Sequence, residues 1–397
     1  MNATLQCLIN CVPLQEAFLT NLAHPYQCCA ALKVGEASCL ACEIDKLLLE
    51  HFGSSVGIDT IAALEEKSND DLSSTLVTNV AVPSEPEPSR ENCGHPVIPS
   101  NFLAEVWKNP TVRHLARHDQ HDAQEFYHAF IDGLETDVLS YQKTLLSMQQ
   151  AIKCQSQIKP LQPPATPPQS SIKDIFEGSL RSVLICDQCG CKRSQTESFL
   201  NLSLPLKNEF PSQSEVATRE KMTTRRETSN ITACLKHFTD PETLSDPIYC
   251  PSCKRKSKTL KQHTFAKLPR VLCLHLKRFD AANNKKISDF VSYPASNLDM
   301  GKYLPHWCEK VVSKESKDSD SNEVDAESPK VLYDLFATVN HRGTLNQGHY
   351  TSNVKCGNHW YHCNDAFVCD AGEGNGEKEV LLAEGAYMLF YLKKDRK

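Results

Sequence analysis

The chain has 397 residues, enough for one large domain or two to three smaller ones, each with a sizeable core. It is 23% charged and 40% apolar with a formal net charge of −6, which excludes bulk electrostatic binding to nucleic acid or to an anionic membrane. No apolar run is long enough to cross a bilayer as a helix, and the first residues lack the basic-then-apolar pattern of a secretory signal. The 19 cysteines are odd in number and several fall in C-x2-C pairs, which points to a reducing compartment and metal sites rather than a disulfide framework.

In chain order, Met1-Asn2-Ala3 leads straight into LQCLINCVPLQEAFL, where Leu5, Leu8, Ile9 and Val12 keep helical spacing until Pro13 ends or kinks the helix. The set His24, Cys28, Cys39, Cys42 precedes a helical EIDKLLLEHF. NFLAEVWKN resumes helical periodicity, and a further helix begins near Asp119-Gln120-His121-Asp122, with Phe126, Phe130, Ile131 and Leu134 along one side. SLRSVLICDQCGCKRSQTESFLNLSLPL reads as strand, C-x2-C turn, strand, and YCPSCKRKSKTLKQHTFAKLP repeats that plan after a short helix in TACLKHFTDPETL. VLCLHLKRFD, DFVSYP and the closing AYMLFYLK are strand-like, the last suited to a sheet interior. Four polar or Pro-rich stretches, 53–99, 153–170, 208–229 and 312–330, read as disordered insertions or tethers.

Two groups of residues have metal-ligand spacing. Cys186, Cys189, Cys250 and Cys253 form two knuckles that together supply four thiolates, the donor set of a closed tetrahedral zinc site, with Cys191 an alternative to Cys189. His24, Cys28, Cys39 and Cys42 form a second, three-cysteine and one-histidine set, with Cys29 an alternative to Cys28. The basic KRKSK after Cys253 has little aromatic interleaving and reads as a solvated loop, so no sequence-specific nucleic-acid partner is expected. In NHRGTLNQGHYTSNVKCGNHWYHCNDA, from Asn340 to Ala366, two strand-like runs bring an imidazole, His349, near Asn364 and Asp365. A histidine held by an amide or carboxylate is two-thirds of a nucleophilic triad.

These residues also add up to a resemblance. QHDAQEF (Gln120–Phe126) resembles the Gln-Asp box of ubiquitin-specific proteases, NHRGTLNQGHYTSNV with WYHCNDAFV resembles their His box, and MNATLQCLIN is similar to the tail of their Cys box. LPRVLCLHLKRF and the two knuckles resemble a family strand and the zinc ribbon of the family's fingers. The resemblance spans one catalytic domain, 1–397, outside the insertions. It implies an α+β, papain-like fold with a helical thumb, a β palm and zinc-braced β fingers that grip ubiquitin. It further implies a thiol-dependent hydrolase that removes ubiquitin from proteins, with His349 as general base, Asn364 as its orienter, Asp365 assisting, and Asp122 and Glu125 shaping the cleft. The H-x3-C-x10-C-x2-C spacing resembles the deubiquitinase of the SAGA transcriptional coactivator, which implies nuclear location (with cytoplasm an alternative), a ubiquitinated histone and the subunits of that module as partners. PPQSSIKDIF lacks the cysteines that this branch carries there.

In the family motif the nucleophilic cysteine lies two residues before the position of Met1. The resemblance therefore places it upstream of the given sequence, and the chain as given is expected to be inactive. Cys7 lies eight residues past that position, about 12 Å along a helix, too far to substitute. The alternative is a non-catalytic ubiquitin-binding protein or scaffold of a coactivator complex.

Overall fold

The computed structural model describes residues 1–19, 39–52, 99–108, 113–116, 121–155, 172–206, 229–280, 285–304, 330–344, 347–372, 380–381, 383 and 385–395. Its helices are α1 (Asn2–Ile9), α2 (Val12–Leu19), α3 (Leu40–Phe52), α4 (Ser100–Lys108), α5 (Ala123–Gln155), α6 (Ile172–Phe176) and α7 (Ile231–Thr239). Its longer strands are β1 (Gly178–Cys186), β2 (Lys192–Phe199), β3 (Asn201–Pro205), β4 (Thr259–Lys267), β5 (Val271–Lys277), β6 (Leu332–Gly343), β7 (Gly348–Cys356), β8 (His359–Asn364), β9 (Phe367–Gly372) and β10 (Ala386–Lys393).

The palm is a sheet in the order β9-β8-β7-β6-β10-β5-β3, antiparallel except for the parallel pair β3–β5. Because successive strand residues face opposite ways, the near-continuous apolar runs of β5 and β10 feed two cores at once. Val271, Cys273, Met388 and Phe390 pack against α1, α2, α5 and α6, while Leu272, Leu274, Leu276, Leu389 and Tyr391 pack on the far face with α7. All nine are fully buried, each large aliphatic or aromatic side chain contributing about 1.5–3 kcal/mol.

On the helical side, α5 lays Phe126, Tyr127, Phe130, Ile131, Leu134 and Val138 on the palm, all at 1% exposure or less. Asp122 caps this helix, its Oδ1 accepting the Gln124 N–H at 2.8 Å. The helix runs on to Gln155, so the tether expected from 153 begins later. Ala151–Gln155 are helix-compatible residues, and the first proline comes only at 160. α1 stops at Ile9 because the Pro13 ring would meet the carbonyl four residues back; that carbonyl accepts from the Gln15 amide at 2.7 Å instead.

The fingers are a separate sheet, β2-β1-β4 with Glu242–Thr243 at its edge. Ser229, expected at the end of an insertion, is buried in a short strand with Asn230 that runs parallel to Val291–Ser292. The remainder of the expected insertions, 53–98, 156–170, 208–228 and 312–329, lies outside the described residues.

Candidate active site

The hairpin β7–β8 carries the candidate catalytic side chains. Ser352 pairs with Cys363 and Asn353 with His362, a register that puts His349, Thr351 and Asn353 on the same face as His362 and Asn364. His349 Nε2 lies 2.6 Å from Asn364 Oδ1. Asp365 follows in a left-handed turn residue at φ 49°, a conformation Asp tolerates better than most, and its Oδ2 lies 3.9 Å from the same nitrogen. The structure thus brings together all three residues that the sequence singled out. Both ionisable side chains are at least half exposed, His349 at 50% and Asp365 at 64%, so the pair opens to solvent and to a ligand. With Oδ1 as acceptor, Nε2 carries the proton and Nδ1 is left with its lone pair, the form a general base needs.

Three features beneath the pair fix its position. A second amide–imidazole pair of opposite polarity, Asn353 Oδ1 to His362 Nδ1 at 2.7 Å, crosses the same two strands, and Asn353 in turn donates to Thr338 Oγ1 at 3.2 Å. The His341 ring abuts Gly348, where a Cβ would stand 2.2 Å from His341 Nε2; only glycine lets β7 start there. Around it lie Tyr350, Phe279 and Tyr387, and Tyr387 places its hydroxyl 2.9 Å from both oxygens of Asp122. Burial pushes His341 down to about 4, and does the same to His275, whose ring stands edge-on to Tyr387. The site therefore rests on neutral imidazoles. Glu125 lies exposed in the first turn of α5.

α1 reaches the site from the other side and packs on β6, β7 and β8. The thiols on and after this helix are not at the imidazole. Cys7 is fully buried, donates to Thr338 O at 3.6 Å and has its pKa raised by desolvation, while burial pushes Cys11 up to about 12. Cys363, next to Asn364, is buried on the opposite face.

The four knuckle sulfurs, Cys186, Cys189, Cys250 and Cys253, lie within 4.8 Å of one another at the tip of the fingers. Two of the separations are 3.9 Å (Cys186–Cys253) and 3.7 Å (Cys189–Cys250). A tetrahedral site with metal–sulfur bonds of about 2.3 Å puts its sulfurs roughly 3.8 Å apart, so this group can hold a metal ion. Cys191 is not among the four. Ser257 Oγ, 3.0 Å from Cys186 Sγ, is the chief influence lowering that thiol to about 6. KRKSK forms the rising half of the second knuckle, with Arg255 donating to Gln188 Oε1 at 2.8 Å. Of the second candidate set, His24 and Cys28 lie outside the described residues; Cys39 and Cys42 precede and open α3, with the Cys42 N–H 3.4 Å from Cys39 Sγ.

His341, His275, Tyr387 and the Asn353–His362 pair were not singled out from sequence. One signal was available: a histidine inside the otherwise apolar run VLCLHLK is a buried polar group that must have a purpose.

The sequence matches the ubiquitin carboxyl-terminal hydrolase family over residues 1–391. Ubiquitin carboxyl-terminal hydrolase 51 of Mus musculus is 34% identical over 306 residues, which cover 76% of this chain and 42% of the relative. Ubiquitin carboxyl-terminal hydrolase 22 of Homo sapiens is 34% identical over 318 residues, covering 76% of this chain and 55% of that protein. The chain thus spans about half the length of these relatives. Among solved structures, the SAGA Ubp8/Sgf11/Sus1/Sgf73 DUB module bound to ubiquitin aldehyde aligns with a TM-score of 0.58 at 24% identity, over 100% of this chain and 68% of that one. That likeness shows a shared fold: helices over a palm sheet with separate fingers. The family match takes in α1, both sheets and the hairpin bearing His349 and Asn364, and by it the chain is a member of the ubiquitin carboxyl-terminal hydrolase family.

Proposed function

We propose that this chain is the catalytic domain of a thiol-dependent ubiquitin hydrolase in which His349 is the base and Asn364 its orienter. The observation that carries the reading is the 2.6 Å contact between His349 Nε2 and Asn364 Oδ1 on a solvent-open hairpin. The nucleophilic thiol is assigned to the N-terminal end of α1, the helix that packs on the hairpin bearing His349 and Asn364. His349 Nδ1 takes the thiol proton, and the thiolate attacks the carbonyl carbon at the ubiquitin C-terminus. The departing amine leaves with the proton that the imidazolium returns, and water then cleaves the thioester with His349 again as base. Asn364 holds the ring without adding charge, and Asp365 Oδ2 lies 3.9 Å from the same nitrogen.

Zinc is the ion we assign to Cys186, Cys189, Cys250 and Cys253, where it would brace the fingers structurally. His24, Cys28, Cys39 and Cys42 are assigned a second zinc; a main-chain N–H directed at Cys39 Sγ suits a thiolate ligand. The named relatives and the DUB-module fold support ubiquitin and ubiquitinated proteins as partners, with a histone, SAGA-module subunits and the nucleus as the finer assignment. No described helix is long and apolar enough to cross a membrane.

A second reading, a non-catalytic ubiquitin-binding scaffold, draws on the burial of Cys7 and Cys11 away from His349. A fluorogenic ubiquitin C-terminal amide separates the two. The hydrolase reading expects turnover from a form carrying a cysteine just before α1, and a loss of roughly 10²-fold or more on His349→Ala. Ubiquitin binding without turnover by either form would favour the scaffold.

A further inference from the structure

Two cations from one short segment of chain hold five main-chain carbonyls, two of which, His341 O and Gly343 O, lie just before the turn into His349. Arg278, fully buried, donates from Nε to Ala386 O at 2.6 Å and from Nη1 to Ile287 O at 3.0 Å and Asp289 O at 2.9 Å. Lys286 donates from Nζ to His341 O at 2.9 Å and Gly343 O at 3.1 Å. Two cations this close repel, and burial together with Arg278 lowers the Lys286 ammonium, so the arrangement costs free energy that its bonds must offset. The carbonyls concerned are no ordinary ones. His341 has its N–H committed to Gly385 O at 2.8 Å and its ring against Gly348; Gly343, at φ +109°, is the last β6 residue before the turn. The turn closes with Thr344 N–H to Gln347 O at 2.7 Å, and Gly348 and His349 follow at once.

We infer that Lys286 is a positioning residue for the His349 imidazole: its ammonium pins the two carbonyls on which the β6–β7 turn stands, and so sets where β7 begins. The anchor lies on a different element, the small hairpin of Phe279–Asp280 with Lys285–Lys286, so the site's geometry depends on a side chain that never touches it. As a statement about the reaction this rests on His349 being the base. The test below reads the turn and the ring directly, so a failed anchor and a failed hydrolase reading are told apart.

The full chain is compared with Lys286→Met and Lys286→Arg by amide hydrogen exchange and by nitrogen NMR of the His349 ring. In Lys286→Met, which loses both charge-assisted bonds, the amides of Gly343, Thr344, Gln347, Gly348 and His349 should exchange roughly tenfold faster or more, while those of the fingers and of β5 and β10 stay unchanged. The ring, a single Nε2–H tautomer in the parent, should become a tautomer mixture as the Asn364 contact loosens. Lys286→Arg, which can still donate to both carbonyls, should lie closer to the parent on both readouts. Exchange at those amides within about twofold of the parent in Lys286→Met, an equal rise across the whole palm, or an arginine variant no better than methionine would each overturn the assignment.

Discussion

Gly348 is the residue on which the imidazole's position turns. Its missing side chain leaves room for the His341 ring and the Arg342 carbonyl, which would stand 2.2 and 2.5 Å from a Cβ. Gly348→Ala should therefore cost about 1–3 kcal/mol in a urea titration and shift His349 away from Asn364, with a fall in any turnover that exceeds the stability loss. The buried imidazoles set a pH response. His275 and His341 sit at about 4 in the folded chain against 6.5 as the ordinary value, so below pH 6.5 the unfolded chain takes up protons first. Stability should decline as pH falls from 6.5 towards 4 and level off beneath that. His275→Gln, freed of one such group, should gain on the parent as the pH drops through that window; a constant difference in unfolding midpoint would contradict it. At this scale the sequence was informative about His349, Asn364 and Asp365, because these side chains sit on one local hairpin with recognisable spacing. It was silent about Lys286 and Arg278, whose acceptors are main-chain carbonyls up to 108 residues away, set by strand order and not by any local pattern.

The fingers show how an element can depend on an ion. Along β2 every residue but the last is exposed, and the inner residues of β1 are only half-buried. Apart from Phe199 against Phe265 at the base, this sheet has little apolar surface to bury, and hydrogen bonds alone contribute little net stability. A metal ion held by the sulfur quartet at the tip, as proposed above, would make up the difference. Cys189→Ser should abolish one bound metal equivalent in elemental analysis and cost at least about 2 kcal/mol, with exchange accelerating in β1, β2 and β4 and not in the palm. Retention of full metal content would rule out the quartet. Elements were largely readable: the strand–knuckle–strand pairs, the apolar β5 and β10, and the helices on either side of Pro13 follow from residue periodicity. The full length of α5 was not, because no residue between Gln149 and Gln155 marks a helix end and the first proline comes only at 160.

At the scale of the molecule, helices and palm meet across an apolar interface crossed by a few polar contacts, among them Tyr127 Oη to Leu200 O and Tyr387 Oη to Asp122. Tyr387 on β10 meets Asp122, which also caps α5, so one carboxylate sets the start of the long helix and its seat on the sheet. Tyr387→Phe should lower the unfolding midpoint by about 1.5–3 kcal/mol while leaving helix content intact, since Gln124 still donates to the cap. Unchanged stability would mean the hydroxyl contributes nothing beyond its ring.

The seating of α1 on β6 also has a meaning in time. Cys7 and its acceptor on Thr338 are 331 residues apart, a separation that translation at roughly 5–20 residues per second covers in about 15–70 s. An eight-residue helix is too short to persist alone, so throughout that interval α1 can pack on α2 and α5 but lacks its seat on the sheet. α1 can therefore reach its full seat only after β6 and the hairpin behind it have been made, so the site proposed around His349 is completed among the last parts of the chain to fold.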